Sequence, residues 1–281
     1  MRFFTSFVFL SSFCILHSAF QNMSLYLYAV MDTERELAAP LLGLDRLPVG
    51  IIACGGMSAA FSNLERAGGR LGPDDALVHE AVVEKLMTIG TVLPFRFGTL
   101  FATRKEVMIM MVEHVTEFRE NLARLRHKVE FSLKVLWPAE AVQREILGAL
   151  PHDKSGGFCP SSSAAGQYMA ERFSAFRINQ LMETEADRRI AEIDGRFNCW
   201  AVEKKLDRLL TPNLLLKAVY LVEADRQDDF KKAYADMQRE VGGLHYLFSG
   251  PWPPYNFVKM KNRTTQGEAV GIITTAARQN I

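Results

Sequence analysis

The eight residues Gly250-Pro251-Trp252-Pro253-Pro254-Tyr255-Asn256-Phe257 constrain the fold more than any other stretch of this chain. The prolines fix φ and remove backbone donors, so the segment cannot lie in the middle of a sheet. It follows an apolar run, Leu244 to Phe248, that reads as a strand. Gly250 supplies the backbone freedom for a sharp exit from that strand. Trp252, Tyr255 and Phe257 are then held on a stiff support as large amphipathic faces. Two readings stay open. The segment is a rigid lid packed on its own domain, or it is a preformed aromatic surface whose docking to a partner costs little ordering entropy. It contains no acid, base, thiol or metal ligand, so neither reading is catalytic.

A chain of 281 residues suggests about two domains. With 48% hydrophobic residues it can build real cores, which excludes a disordered protein. With a net charge of +1, nothing points to a broad surface for nucleic acid or anionic membrane. Cys14, Cys54, Cys159 and Cys199 are scattered, without a Cys-x-x-Cys pair, and read as free or buried thiols of a reducing compartment. Residues 1–22 join one early arginine to an apolar run from Phe3 to Phe20, broken by serines and short for a membrane span. Met23 opens MSLYLYAVMD, a clean start for a soluble domain. The expectation is that Met23 is the functional start; a targeting leader or a structured extension is the alternative, and residues 1–22 are left out of the fold.

Ser24 to Met31 reads as a buried strand, Val49 to Cys54 as a second, and Met57 to Phe61 as its hairpin partner across Gly55-Gly56. A helix from Asp74 or Asp75 to about Ile89 sets Val78, Val82, Leu86 and Ile89 on one face. In Thr91-Val92-Leu93-Pro94-Phe95-Arg96-Phe97-Gly98-Thr99, Pro94 argues for an edge or a bulge. A further helix spans about 103–126, and Lys128 to Leu136 alternates as a half-buried strand stopped by Trp137-Pro138. Residues 151–165 form a polar loop. The chain then reads helical from about Ser161 to Leu210, with Met169, Phe173, Phe176, Ile190, Ile193, Phe197 and Trp200 at helical spacing. Leu214 to Glu223 is a strand, and a helix follows from Asp228 to Val241. The pattern predicts an α+β protein of two domains, 23–137 and 138–259. Each is a ferredoxin-like antiparallel sheet with helices on one face, with a helical connecting region and a polar tail at 260–281.

No chemistry-bearing constellation emerges. His79-Glu80-Ala81-Val82-Val83-Glu84 is not the HExxH zinc pattern, and adjacent His79 and Glu80 lie about 100° apart on a helix. A solvated face or a buried hydrogen bond is the expectation there. Arg96 between two phenylalanines needs a carboxylate or solvent; a structural ion pair and a partner contact are both open. Gly55-Gly56, Gly68-Gly69, Gly156-Gly157 and Gly242-Gly243 build neither GxGxxG nor GxxxxGK[ST]. Met108, Met110 and Met111 read as core rather than as an adaptable docking face.

Three stretches together resemble the gas vesicle protein F/L family. They are Leu25-Tyr26-Leu27-Tyr28-Ala29-Val30, Val92-Leu93-Pro94-Phe95-Arg96-Phe97-Gly98-Thr99, and Gly250 to Val258, with weaker matches at His79-Glu80-Ala81-Val82, Gly166-Gln167-Tyr168-Met169 with Arg172, and Leu214 to Val222. The resemblance covers about residues 23–259. It implies a non-enzymatic accessory protein of gas vesicle formation, on the vesicle or in the cytoplasm. The implied partners are the small gas vesicle shell protein and other gas vesicle accessory proteins. No cofactor, metal, nucleic acid, small-molecule substrate or membrane span is expected. Phe95, Arg96, Phe97, Trp252, Tyr255 and Phe257 are the candidate partner-binding residues; Pro94, Gly98, Gly250, Pro251, Pro253 and Pro254 are the structural ones. The alternative, resting on residues 1–22, is a secreted or envelope-anchored enzyme.

Overall fold

The computed structural model describes residues 24–34, 37, 39–64, 71–149, 164–208, 211 and 213–260. The expectations for residues 1–22, the Gly68-Gly69 and Gly156-Gly157 pairs, most of the 151–165 loop and the tail beyond residue 260 lie outside these. Two compact units divide the chain: one runs to Arg126 and resumes at Pro253, the other is His127–Trp252.

The first unit contains β1 (Ser24–Met31), β2 (Gly50–Cys54), β3 (Met57–Leu64), α1 (Pro73–Met87), β4 (Val92–Pro94), β5 (Leu100–Phe101), α2 (Arg104–Glu113) and α3 (Val115–Leu125). Its sheet has the order β2-β3-β1-β4, with β5 also on β1 and every pairing antiparallel. Leu25 to Met31 are buried without a break. A strand that hides consecutive residues is covered on both faces, which explains its unbroken apolar reading. Helix α1 starts at Pro73, and the Asp75 carboxylate accepts from the Gly72 N–H at 2.8 Å, with Asp74 and Asp75 complementing the dipole. Its buried face is His79, Val82, Val83 and Leu86, whereas Val78 and Ile89 are exposed. The expected stripe is thus rotated toward His79, because a polar side chain with partners can occupy the core. The expected single helix over 103–126 is two helices, broken at His114 (φ −106°, ψ 14°).

The second unit contains β6 (Lys128–Leu136), α4 (Ala139–Ala149), α5 (Ala164–Gly195), β7 (Ala201–Arg208), β8 (Leu214–Glu223), α6 (Gln227–Glu240) and β9 (His245–Trp252). Its antiparallel sheet has the order β7-β8-β6-β9. Strand, crossover, hairpin, helix and strand in this order form the ferredoxin-like βαββαβ unit. The first unit has the same strand order, with a loop and the short 3₁₀ turn Leu44–Arg46 in place of the first crossover helix. The core of the second unit is aromatic. Phe131 stacks on Phe230 at 4.9 Å and on Phe248 at 5.4 Å, and Phe197 lies 5.0 Å from both Tyr220 and Phe230. Each such pair contributes about 0.5–1.5 kcal/mol beyond area burial.

Three expectations change here. β6, expected in the first sheet, is a central strand of the second; its alternation shows that it is half-buried and not which strand it joins. Residues 201–208 are a strand, not the end of a helix, with Lys204 opposite Tyr220 and Asp207 opposite Lys217. Helix α4 lies in a stretch to which the sequence pattern assigned no element.

Candidate functional site

The segment after β4 is built as a bulge. Pro94 pairs with Ala29 and Leu100 with Tyr26, so the five residues Phe95–Thr99 stand against two, Leu27 and Tyr28. β1 holds both ends: the Phe95 N–H donates to the Tyr28 carbonyl at 2.8 Å, and the Leu27 N–H donates to the Thr99 carbonyl at 3.0 Å. Thr99 closes the loop on itself, its hydroxyl donating to the Arg96 carbonyl at 2.7 Å. Gly98 takes φ +88°, a left-handed conformation that side chains resist.

Beneath the loop lies a buried polar network. The Gly98 N–H donates to the Tyr26 hydroxyl at 3.2 Å, leaving that hydroxyl free to donate to His79 Nδ1 at 2.8 Å. This assignment leaves the proton of the neutral imidazole on Nε2. Nε2 makes no full hydrogen bond, though the Phe95 carbonyl is near enough to favour a proton on the ring. Desolvation outweighs that carbonyl and pulls the His79 pKa down to about 4. His79 is 3% exposed, stacks on Tyr28 with 5.6 Å between centroids, and meets Phe97 edge-on at 6.0 Å. Tyr28 donates to Ser62 Oγ at 3.2 Å and accepts from the Leu44 N–H at 2.9 Å. Burial pushes both tyrosine hydroxyls above their ordinary range, so both stay protonated. The expected local buried hydrogen bond of His79 is present, and Tyr26, His79 and Gly98 bring residues from three separate stretches of sequence into one structure. A neutral imidazole sealed from solvent positions its neighbours; it is not placed to exchange protons with a substrate. Among the described residues no group of three or more His, Cys, Asp and Glu is arranged to hold a metal ion.

The candidate contact residues separate. Phe95 and Phe257 are 0% exposed. They are packing residues, and a direct partner contact through either is ruled out in this conformation. Arg96 is exposed and Phe97 is 38% exposed at the rim of the ring cluster, with Leu100 at 44% beside them. Trp252 and Tyr255 are half-buried. Pro94, Pro253 and Pro254 are buried, Pro251 exposed.

The proline-aromatic stretch is the chain's return path. β9 is an edge strand, as its prolines require, and it continues through Gly250 and Pro251 to Trp252 across a register break opposite Phe131. Gly250 has φ +125°, and a Cβ there would stand 2.7 Å from the Glu130 carbonyl oxygen. From Pro253 the chain belongs to the first unit. Asn121 of α3, itself 3% exposed, holds it there as a strand would: Nδ2 donates to the Lys259 carbonyl at 2.7 Å and Oδ1 accepts from the Lys259 N–H at 2.8 Å. Arg124 donates to the Phe257 carbonyl. Phe257 and Val258 are buried. Residues 257–259 therefore pack within the first unit and not on the domain of the preceding strand, where the lid reading placed the segment. The sequence reading missed Asn121 and Arg124; the only available signal was an asparagine on the apolar face of α3, beside Phe118, Leu122 and Leu125.

The model of the family described as gas vesicle synthesis protein GvpL/GvpF matches residues 24–259. Gas vesicle protein F of a Streptomyces species (strain CB03234) is 28% identical over 84% of this chain and 100% of its own length. Gas vesicle protein F of Haloferax mediterranei is 26% identical over 84% of this chain and 93% of its own. The crystal structure of gas vesicle protein GvpF from Anabaena sp. PCC7120 superposes with a TM-score of 0.74 at 18% identity, covering 87% of this chain and all of the other. That of GvpF from Microcystis aeruginosa gives 0.70 at 24%, covering 84% and 99%. The span matched by the family model, residues 24–259, contains Tyr26, His79 and Gly98 and the return path from Gly250 to Lys259.

Proposed function

Because this chain belongs to the gas vesicle synthesis protein GvpL/GvpF family, we propose that it is a non-enzymatic accessory protein of gas vesicle formation that binds the small shell protein. A subunit that makes a gas-facing wall must expose apolar surface and aggregates when unassembled. A helper for such a subunit needs apolar contact surface and no reacting group. The observation that carries this reading is the buried network under Phe95–Thr99. Tyr26, His79 and Gly98 fix a loop that carries Arg96, Phe97 and Leu100 outward, so the one buried histidine among the described residues supports a contact surface. The setting is the gas vesicle and the cytoplasm around it. No helix among the described residues is long and apolar enough to cross a membrane. Nothing in the arrangement favours a secreted or envelope-anchored enzyme.

The test uses purified full chain and shell protein. The wild type is expected to co-elute with the shell protein or suppress its aggregation. Phe97→Ser, at a partly exposed position, should weaken both by roughly tenfold or more while the protein stays folded, as expected for an apolar contact residue. If the wild type does neither, and its deletion leaves vesicles normal, the proposal fails.

A further inference from the structure

The second sheet carries, on one face, a charge arrangement that the sheet itself does not balance. Phe230 of α6 and Phe197 pack on the Phe131–Tyr220 side of that sheet. Side chains alternate across a strand, so Ser132, Lys134, Lys217 and Val219 stand on the opposite side. There the register aligns one row across the four strands: Asp207 of β7, Lys217 of β8, Lys134 of β6 and Leu247 of β9. Lys217 and Lys134 lie directly opposite each other on the two central strands, and both are half-buried. Like charges so placed destabilise a sheet. Elsewhere on the same face the match is made: Lys128 stands opposite Glu223 and pairs with it at 3.2 Å. Among the described residues neither Lys134 nor Lys217 has an ion pair, and the exposed Asp207 makes none with Lys217. The adjoining rows add Lys205, which is already partnered, and the exposed His245. Leu247 ends the row 56% exposed.

We propose that this row is a docking site for an acidic segment of another gas vesicle protein, whose carboxylates pair with Lys134 and Lys217 and whose apolar residue covers Leu247. Charge selects this occupant. Two unpaired, half-buried ammonium groups call for carboxylates, and a ligand that brings them removes the cross-strand repulsion as it binds. A second copy docking through the same patch about a two-fold axis would set these lysines against the same two lysines. Nucleic acid or an anionic membrane calls for a broad basic surface; the chain's net charge is +1, and an aspartate stands at the β7 end of the row. The free protein gives up stability at Lys134 and Lys217 that the complex recovers, which is how binding surfaces differ from surfaces selected for stability alone.

The proposal rests on the accessory-protein reading but uses residues of the second unit and none of the Arg96–Leu100 loop. Its test measures binding of the full chain, at low and high salt, to each of the other gas vesicle proteins of the same organism in purified form. Wild type, Phe97→Ser, Lys134→Met, Lys217→Met, Lys134→Met/Lys217→Met and Lys134→Arg/Lys217→Arg are compared. One of those proteins should lose roughly tenfold in affinity with each Lys→Met change. Its binding should weaken with added salt, persist in the double arginine variant and survive Phe97→Ser. Trp137, Trp200 and Trp252 all lie in the second unit, so tryptophan fluorescence in urea follows that unit. Each Lys→Met variant should unfold at a urea midpoint at or above that of wild type, which separates lost binding from lost folding; lowered midpoints would refute the repulsion. If no gas vesicle protein is sensitive to Lys134→Met or Lys217→Met, the docking site is refuted even where the shell protein binds through Phe97. If lysine-dependent binding is found only to phosphatidylglycerol vesicles, the ligand is a lipid surface and the proposal is overturned. Binding of no gas vesicle protein by the wild type would remove both readings together.

Discussion

Replacing Tyr26 by phenylalanine removes one oxygen from the network under the Phe95–Thr99 loop and separates two kinds of loss. The Gly98 N–H loses its acceptor, but Gly98 is exposed and water can replace the hydroxyl. His79 Nδ1 loses its donor at 3% exposure, and Nε2 on the same ring already lacks a full hydrogen bond. An isolated buried acceptor costs about 1–3 kcal/mol, so Tyr26→Phe should destabilise the first unit by that amount and not by twice it. Removing the imidazole as well takes away the stranded groups. Tyr26→Phe/His79→Leu should therefore be less destabilised than Tyr26→Phe alone, the reverse of additive behaviour. Trp137, Trp200 and Trp252, the three tryptophans of the chain, all lie in the second unit. Tryptophan fluorescence in urea thus monitors that unit and should not move. The loss should appear in amide exchange of β1 and α1. A Tyr26→Phe variant within about 0.5 kcal/mol of wild type, or a double variant equal to the sum of the singles, would refute the network as described.

Two further outcomes follow from the same geometry. His79 titrates near 6.5 when unfolded and at about 4 when folded. Between those values the unfolded chain binds more protons, so the stabilisation is complete above pH 6.5 and is lost as pH falls toward 4, a change of about 3 kcal/mol; a His79→Leu variant should lack this slope in urea titrations of the first unit, and an unchanged slope would contradict it. Gly250→Ala forces a Cβ within 2.7 Å of the Glu130 carbonyl at φ +125°; it should cost the second unit about 2–4 kcal/mol, read by tryptophan fluorescence in urea, and a loss below 1 kcal/mol would contradict the close packing at this turn.

Local signals in this sequence were reliable where one strand or helix decides its own pattern. Leu214–Glu223 is a strand because its apolar run is long, β-rich and bounded by Pro212-Asn213. Pro94 and Pro251 mark an interrupted strand and an edge strand because a missing N–H forbids a central position. What could not be read was the pairing. Lys128–Leu136 alternates in the same way whichever sheet it joins, and only contact with Leu214–Glu223 and His245–Trp252 assigns it. Ala201–Arg208 carries five charged residues and a weak alternation; its strand state comes from the ladder to β8 and not from its own propensity. The candidate site shows the same limit. Phe95 and Phe97 are two positions apart in an apparent strand, yet one is sealed and the other reaches the surface, because the chain between them bulges.

That bulge explains why a chain with a histidine, two tyrosines and a left-handed glycine at one place need not be an enzyme. A catalytic imidazole needs a pKa near working pH and a path for its proton. His79 has neither, since desolvation holds it neutral and Tyr26, Tyr28 and Phe97 surround it. Five residues bulging over two would otherwise be a soft loop with unpaired backbone. The hydrogen bonds from Gly98 through Tyr26 to His79, with the two bonds to β1, give it one conformation. A surface fixed before it meets a partner loses less entropy on docking than a mobile one. The cost of burying an imperfectly satisfied imidazole is therefore intelligible as the cost of holding Arg96, Phe97 and Leu100 in place.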